Sequence, residues 1–169
     1  MADVTLRPVE RVDVLDVIRL QLSDDQQRFI APNAVSLAQA HYETGCYPMV
    51  IAADSALVGF CSVIDHTEHA YLDDDDDPSA AFVWRFMIDR RAQGNGFGSA
   101  ALDKLADWAL GRSLTSLVLT VRRENEAALS FFLDRGFDRT GRTWDGEIEL
   151  ARTIPPSDAV VRPTRRSNP

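Results

Sequence analysis

The sequence predicts an α/β (α+β) domain: one twisted, mostly antiparallel sheet of six to seven strands with about four helices. Three observations predict it. Seven short runs rich in apolar and β-branched residues alternate with four stretches of helical periodicity. Asp145-Gly146 between two such runs is a strong hairpin signal. At the centre, the apolar run Ala81–Ile88 leads through Gln93-Gly94-Asn95-Gly96-Phe97-Gly98-Ser99 into the helical stretch Ala100–Leu110, which Gly111 closes.

Taken in order, Val4–Pro8 reads as a short strand. Val12–Leu20 reads as a helix, with Val14, Leu15, Val17 and Ile18 as its apolar stripe. A second helix is expected over Ser36–Tyr42, after Pro32-Asn33. Pro48–Ala53 and Leu57–Ile64 form a hairpin around Asp54-Ser55-Ala56. The glycine-rich unit follows, then strand Leu114–Val121 and a helix that starts near Asn125 and is stopped by Gly136. Phe137–Trp144 and Glu147–Arg152 make the last hairpin. From Thr153 the chain has four prolines and no packing pattern, so residues 1–152 are expected to be one domain and 153–169 a disordered tail.

Composition sets limits on function. A chain of 169 residues is long enough for one proper core. No apolar run is long enough for a membrane span and the N-terminus lacks a basic, then hydrophobic, leader, so a cytoplasmic protein without a membrane partner is expected. Cys46 and Cys61 do not make a disulfide framework. The formal charge of −8 argues against nucleic acid, whose phosphates need a basic surface, and fits a cationic small-molecule partner. No metal site is expected. The run Asp73–Asp77 cannot be an EF-hand loop, because Pro78 and Trp84 stand where glycine and glutamate are required. It reads as a solvated acidic loop, and His66-x-x-His69 beside it as surface.

The central loop is built for an anionic phosphate: alternate glycines permit close backbone approach, and a helix N-terminus behind them offers unpaired N–H groups and positive dipole. A P-loop is excluded, because no Gly-Lys-Ser/Thr closes the turn. A dinucleotide loop does not fit either, since the spacing is G-x-G-x-G and the next strand ends without an acid. Gln93-x-x-Gly96-x-Gly98 does resemble the pyrophosphate loop of the GCN5-related N-acetyltransferase (GNAT) family. Asn125-Glu126-Ala127-Ala128-Leu129-Ser130-Phe131-Phe132-Leu133-Asp134-Arg135-Gly136-Phe137 is similar to that family's second motif, in the expected order and separation. The resemblance covers about residues 4 to 152.

What the resemblance implies is a mixed sheet with splayed central parallel strands, acetyl-CoA as co-substrate, and direct attack of an amine on the thioester. The backbone of Met87 and Ile88, with Phe86 beside them, would hold the pantetheine arm. The Ile88 backbone would polarise the carbonyl, a donor worth about 3 kcal/mol by analogy with measured oxyanion holes. Gln93, Gly94, Asn95, Gly96, Phe97, Gly98 and Ser99 would take the pyrophosphate, while Asn125, Ala128, Phe131 and Phe132 flank the arm. Phe132 stands where many members carry a tyrosine thought to protonate the departing thiolate. A thiol of pKa about 8.5 leaves tolerably without that help, and Tyr42 or Tyr47 are the alternative donors. The strand carries no carboxylate, which leaves Glu147 as the best base. Phe29–Ala38, Trp84–Asp89 and Asp145-Gly146-Glu147 further resemble a bacterial branch of spermine/spermidine (diamine) acetyltransferases. That makes Asp24, Asp25, Asn33, Asp145 and Glu147 candidate acceptor contacts. A homodimer is compatible with the sequence. A non-catalytic acyl-CoA-binding module, and acetyl transfer to an aminoglycoside or a peptide N-terminus, remain alternatives.

Overall fold

The computed structural model describes residues 2–155. Its elements are β1 (Val4–Pro8), α1 (Val14–Arg19), α2 (Asp24–Gln27), α3 (Asn33–Ala40), β2 (Cys46–Ala53), β3 (Ala56–Asp65), β4 (Ala80–Ile88), α4 (Phe97–Gly111), β5 (Ser116–Arg122), α5 (Glu126–Leu133), β6 (Asp138–Trp144) and β7 (Glu147–Thr153). A 3-10 turn, Arg11–Asp13, leads into α1. The seven strands form one sheet in the order β1-β2-β3-β4-β5-β7-β6. Every pairing is antiparallel except β4 with β5. That parallel pair follows from the connection: β4 reaches β5 only through the crossover helix α4.

Apolar residues at helical spacing in α4 and at alternate positions in the strands create one large core on the α4 face. Ala101, Leu102, Leu105 and Ala109 pack there against Val63, Leu117, Leu119 and Leu150. A smaller core lies on the opposite face, where Val17, Val50, Phe60 and Met87 meet Leu37 and Leu20. Truncating a fully buried leucine such as Leu105 to alanine is worth about 2–5 kcal/mol.

Element boundaries differ from the sequence reading in ways that matter for the site. α4 begins at Phe97, so Phe97, Gly98 and Ser99 form its first turn rather than part of the loop. α3 starts at Asn33, three residues early, because Pro32 fixes the entry. The short α2 has no apolar period to announce it. Its trace is Ser23-x-x-Gln26, in which the Ser23 N–H donates to Gln26 Oε1 at 3.4 Å. β7 extends to Thr153, and Ile154 is buried with its N–H on the Thr115 carbonyl at 2.8 Å, so the domain runs beyond Arg152. The rest of the expected tail, 156–169, lies outside the described residues. Among the described residues no helix is long and apolar enough to cross a membrane.

Candidate active site

The site originates where β4 and β5 part. Their parallel pairing covers only Ala80–Phe82 against Ser116–Val118. Just beyond, β4 carries a bulge: Ser62 faces Arg85 and Val63 faces Val83, which leaves Trp84 as an extra residue. A bulge bends its strand and resets the side-chain alternation. Val83 and Phe86 consequently both pack on the α4 core, although three residues apart, and Met87 enters the opposite core.

The ladder fixes which peptide groups face the gap. The Asp89 N–H donates to the Val58 carbonyl at 2.8 Å, so Asp89 and Val58 are a hydrogen-bonded pair. In the register Gly59↔Ile88, Phe60↔Met87, Cys61↔Phe86, alternation then turns the Phe86 and Ile88 groups away from β3 and into the gap. The backbone of Met87 points toward β3 instead. This corrects the expected Met87–Ile88 pair to Phe86 and Ile88.

One wall of the gap is the N-terminus of α4. Gly94 and Gly96 have φ of 78° and 80°, and a Cβ at either would meet no atom within 4 Å. The loop thus presents bare backbone to the cleft. The Phe97, Gly98 and Ser99 N–H groups open the helix without intrahelical acceptors. Gln93 ties this wall to its neighbours, its amide donating to the Ile88 carbonyl at 2.9 Å and to Gln26 Oε1 at 2.9 Å. The Asn95 amide turns back to the Ala92 and Gln93 carbonyls, at 3.0 and 3.2 Å, and braces the loop without lining the cleft. The opposite wall is α5. Asn125 is its N-cap, Oδ1 accepting from the Ala128 N–H at 3.2 Å. Phe131 lies against Gly98, and Phe132 is buried among Phe86, Phe131 and Phe137 at ring distances of 6.1, 5.1 and 5.4 Å.

The gap opens through to the α1–α3 face as one cleft of about 1500 Å³. Its floor there includes Trp84, Arg85, Thr120, Arg122, Glu147 and Glu149. The Thr120 hydroxyl donates to Glu147, whose Oε1 lies 3.6 Å from Arg122 Nε. Glu149 accepts from Thr140 at 2.7 Å and pairs with Arg142 at 3.3 Å. Arg85 stacks on Trp84 at 4.3 Å and donates to Ser36 Oγ at 3.2 Å. Burial pushes its pKa down, while the charge of Glu147 acts the other way.

Not every expected acceptor residue reaches this cleft. Asp145 and Glu147 line it. Asp24 and Asp25 do not: they occupy the first turn of α2, while the cleft wall is made by Gln26 and Arg28–Ala31. Asn33 is buried, its amide donating to the Val17 carbonyl at 2.8 Å and lying 3.1 Å from Met87 Sδ, so it joins α3 to α1. Tyr42 is 82% exposed and Tyr47 is bonded to Glu68 beneath Arg112, and neither lines the cleft. Tyr71 does, on the loop between β3 and β4.

That loop carries the acidic run, in which Asp73, Asp74, Asp75 and Asp77 are exposed, as expected of a solvated loop, while Asp73, Asp75, Asp76 and Asp77 also border the cleft. Asp76 takes the Arg142 guanidinium at 3.1 Å, and Asp77 accepts from Ser79 at 2.6 Å and Ser116 at 2.9 Å. Burial raises the Asp77 pKa, but these bonds outweigh it and hold the carboxyl below the usual value. No sequence pattern announces Arg142, Glu149 or Tyr71 as cleft residues, because strand register and loop path alone bring them in. Arg135 is a further one, set beside Ser99. Among the described residues no group of three potential metal ligands gathers.

The profile of the acetyltransferase (GNAT) family matches residues 15–137. No curated protein matches the sequence. Among solved structures, aminoglycoside acetyltransferase AAC(6')-Ib in complex with coenzyme A has TM-score 0.71 at 17% identity, over 89% of this chain and 95% of that one. Spermidine N-acetyltransferase from Vibrio cholerae, in complex with CoA and spermine, has TM-score 0.68 at 19% identity, over 90% and 96%. The ribosomal-protein-S18-alanine N-acetyltransferase from Escherichia coli has TM-score 0.61 at 20% identity, over 90% and 94%. At these identities the structures establish the shared fold, and the profile match across most of the chain establishes the rest: the chain belongs to the acetyltransferase (GNAT) family, an acetyl-CoA-dependent N-acetyltransferase.

Proposed function

We propose that the protein acetylates a primary amine of a small polycation, with a polyamine such as spermine or spermidine as the favoured acceptor. The observation that carries the reading is the continuity of the cleft. It runs from the bare amides of the glycine loop, past the Ile88 peptide, to a floor and rim bearing Asp73, Asp75, Asp76, Asp77, Asp145, Glu147 and Glu149. The spermidine and aminoglycoside acetyltransferases that share the fold, both enzymes of polyamino compounds by their names, support a cationic acceptor.

In this reading the Ile88 N–H, turned into the gap, polarises the thioester carbonyl, and the loop amides from Gly94 to Ser99 hold the pyrophosphate. Backbone donors need no reorganisation as negative charge builds on the oxygen, which is where such groups act most strongly. The amine arrives protonated. At pKa about 10.4, baring it costs roughly 4–5 kcal/mol at pH 7. Glu147 takes that proton, directly or through water, while Thr120 and Arg122 orient its carboxylate. The amine nitrogen then attacks the carbonyl carbon, the C–S bond breaks with its electron pair going to sulfur, and the second proton on nitrogen passes through water to the departing CoA thiolate, leaving the neutral amide and CoA thiol.

The test is a panel of spermine, spermidine, an aminoglycoside, a simple monoamine and a neutral peptide amine, scored by free CoA released per enzyme. The highest kcat/KM is expected for the polyamines. Acetyl-CoA binding with no CoA release above hydrolysis for any amine would instead establish a non-catalytic acyl-CoA-binding module.

A further inference from the structure

Arg135 follows α5 in the turn Asp134-Arg135-Gly136, yet its side chain reaches the first turn of α4. Nε donates to Ser99 Oγ at 2.7 Å and Nη1 to the Phe131 carbonyl at 2.9 Å. The guanidinium carbon lies 3.9 Å over the Phe131 ring, and that ring abuts Gly98, where a Cβ would meet its Cζ at 3.0 Å. Two helices therefore hold one cation rigidly at a corner of the cleft that all four residues line.

At the C-terminus of α5, where it bonds the Phe131 carbonyl, the charge is favourably placed, but beside Ser99 at the start of α4 it is not. A cation beside a helix N-terminus opposes the positive end of the dipole. Among the described residues no carboxylate stands within ion-pair distance of it, whereas Arg7, Arg91, Arg112 and Arg142 each have one. A half-buried guanidinium that is clamped, stacked and lacks a carboxylate partner is ready for an oxyanion. Its planar fork suits phosphate, and Nη2 makes no bond among the described residues.

We propose that Arg135 is a phosphate-binding residue, supplying the cation for a phosphate of the CoA moiety seated on the Gln93–Ser99 loop. The inference rests on the reading of that loop as the CoA site. The pyrophosphate and the ribose 3′-phosphate offer the same chemistry, and truncated ligands separate them.

Binding of CoA, dephospho-CoA and pantetheine is measured by calorimetry on the full chain, for the unaltered protein, Arg135→Ala and Arg135→Gln. The glutamine variant keeps hydrogen-bonding capacity toward Ser99 and Phe131 and guards against loss of fold, checked by melting temperature. Loss of charge-assisted bonds is expected to weaken CoA roughly tenfold to a hundredfold in both variants, with pantetheine unaffected. An equal loss for dephospho-CoA assigns the pyrophosphate, and a loss confined to CoA assigns the 3′-phosphate. Folded variants with unchanged affinity for CoA overturn the proposal, as does an equal loss for phosphate-free pantetheine, which would make Arg135 a packing residue for Phe131. If the unaltered protein binds no CoA, the reading of the loop falls, and the proposal with it.

Discussion

Gly96 and Gly98 lie two residues apart, and the structure gives them different reasons to be glycine. At Gly98 the obstacle is steric, the Phe131 ring at 3.0 Å from a would-be Cβ. At Gly96 there is open space and a φ of 80°, so a side chain there would project into the cleft from a left-handed backbone. Gly96→Asp is therefore expected to fold and to weaken acetyl-CoA by more than about tenfold, by setting a carboxylate against phosphate. Gly96→Asn, of the same shape and equally tolerant of positive φ, should recover most of the affinity. Titration calorimetry on the pair separates charge from backbone strain. Phe132 invites the opposite kind of change. Its ring is 7% exposed within an aromatic cluster but borders the cleft. Phe132→Tyr is expected to leave kcat level or raise it, since a phenol adds a proton donor for the departing thiolate. A hydroxyl forced into the cluster would instead cost about 1–3 kcal/mol, visible as a lowered melting temperature.

Among elements, the end of β4 holds the assembly together through Asp89. One carboxylate oxygen accepts from the Gln21 N–H at 3.0 Å, on the chain between α1 and α2, and the other from the Arg91 N–H at 2.9 Å and Nε at 2.9 Å. Its carbonyl takes the Ala92 and Gln93 N–H groups. One residue thus joins the chain between α1 and α2, the end of β4 and the glycine loop. The hydrogen bond from Arg91 first, then the Gln21 and Arg91 amides, hold its pKa at about 2 against the effect of burial. A depressed carboxyl contributes stability that is present above its unfolded pKa, about 3.9, and is lost as pH falls through about 2. Asp89→Asn turns an amide donor toward donors and is expected to cost roughly 2–3 kcal/mol near neutrality. The gap between the two melting curves should close between pH 4 and pH 2. None of this is legible in Ile88-Asp89-Arg90, because Gln21 is 68 positions away. The bulge is equally silent. Phe82, Trp84 and Phe86 read as one regular strand face, and only the register against β3 reveals Trp84 as the extra residue. The glycine loop and the Asn125 cap were legible because each is local: their geometry is set by residues within five positions.

Over the whole molecule, charge is what the sequence states most plainly, and location is what it withholds. Residues 156–169 hold three arginines and one aspartate, so the described domain carries −10 of a total −8. The sequence offered Asp24 and Asp25 as acceptor contacts and read the Asp73–Asp77 run as a solvated loop. In the structure Asp24 and Asp25 do not line the cleft, whereas the acidic run stays largely exposed yet borders it, tied to β6 by the Arg142–Asp76 bonds. The cleft also contains Arg28, Arg85, Arg122, Arg135 and Arg142, and Asp76 and Glu149 offset the last of these while Glu147 faces Arg122. A net attractive field for a polycation therefore rests on Asp73, Asp75 and Asp145 together with the −10 background. If that field selects the acceptor, kcat/KM for spermine should fall steeply as salt rises from 0.01 to 0.3 M. The screening length shrinks from about 30 Å to well under 10 Å over that range, and the fall should be smaller for a monoamine. The double variant Asp73→Asn/Asp75→Asn should reproduce much of the high-salt loss at low salt, whereas Asp24→Asn/Asp25→Asn, of identical charge change but outside the cleft, should not. Equal effects from the two double variants would assign the attraction to net charge alone. A salt-independent kcat/KM for spermine would remove electrostatic selection altogether and leave acceptor choice to the shape of the Trp84 and Tyr71 walls.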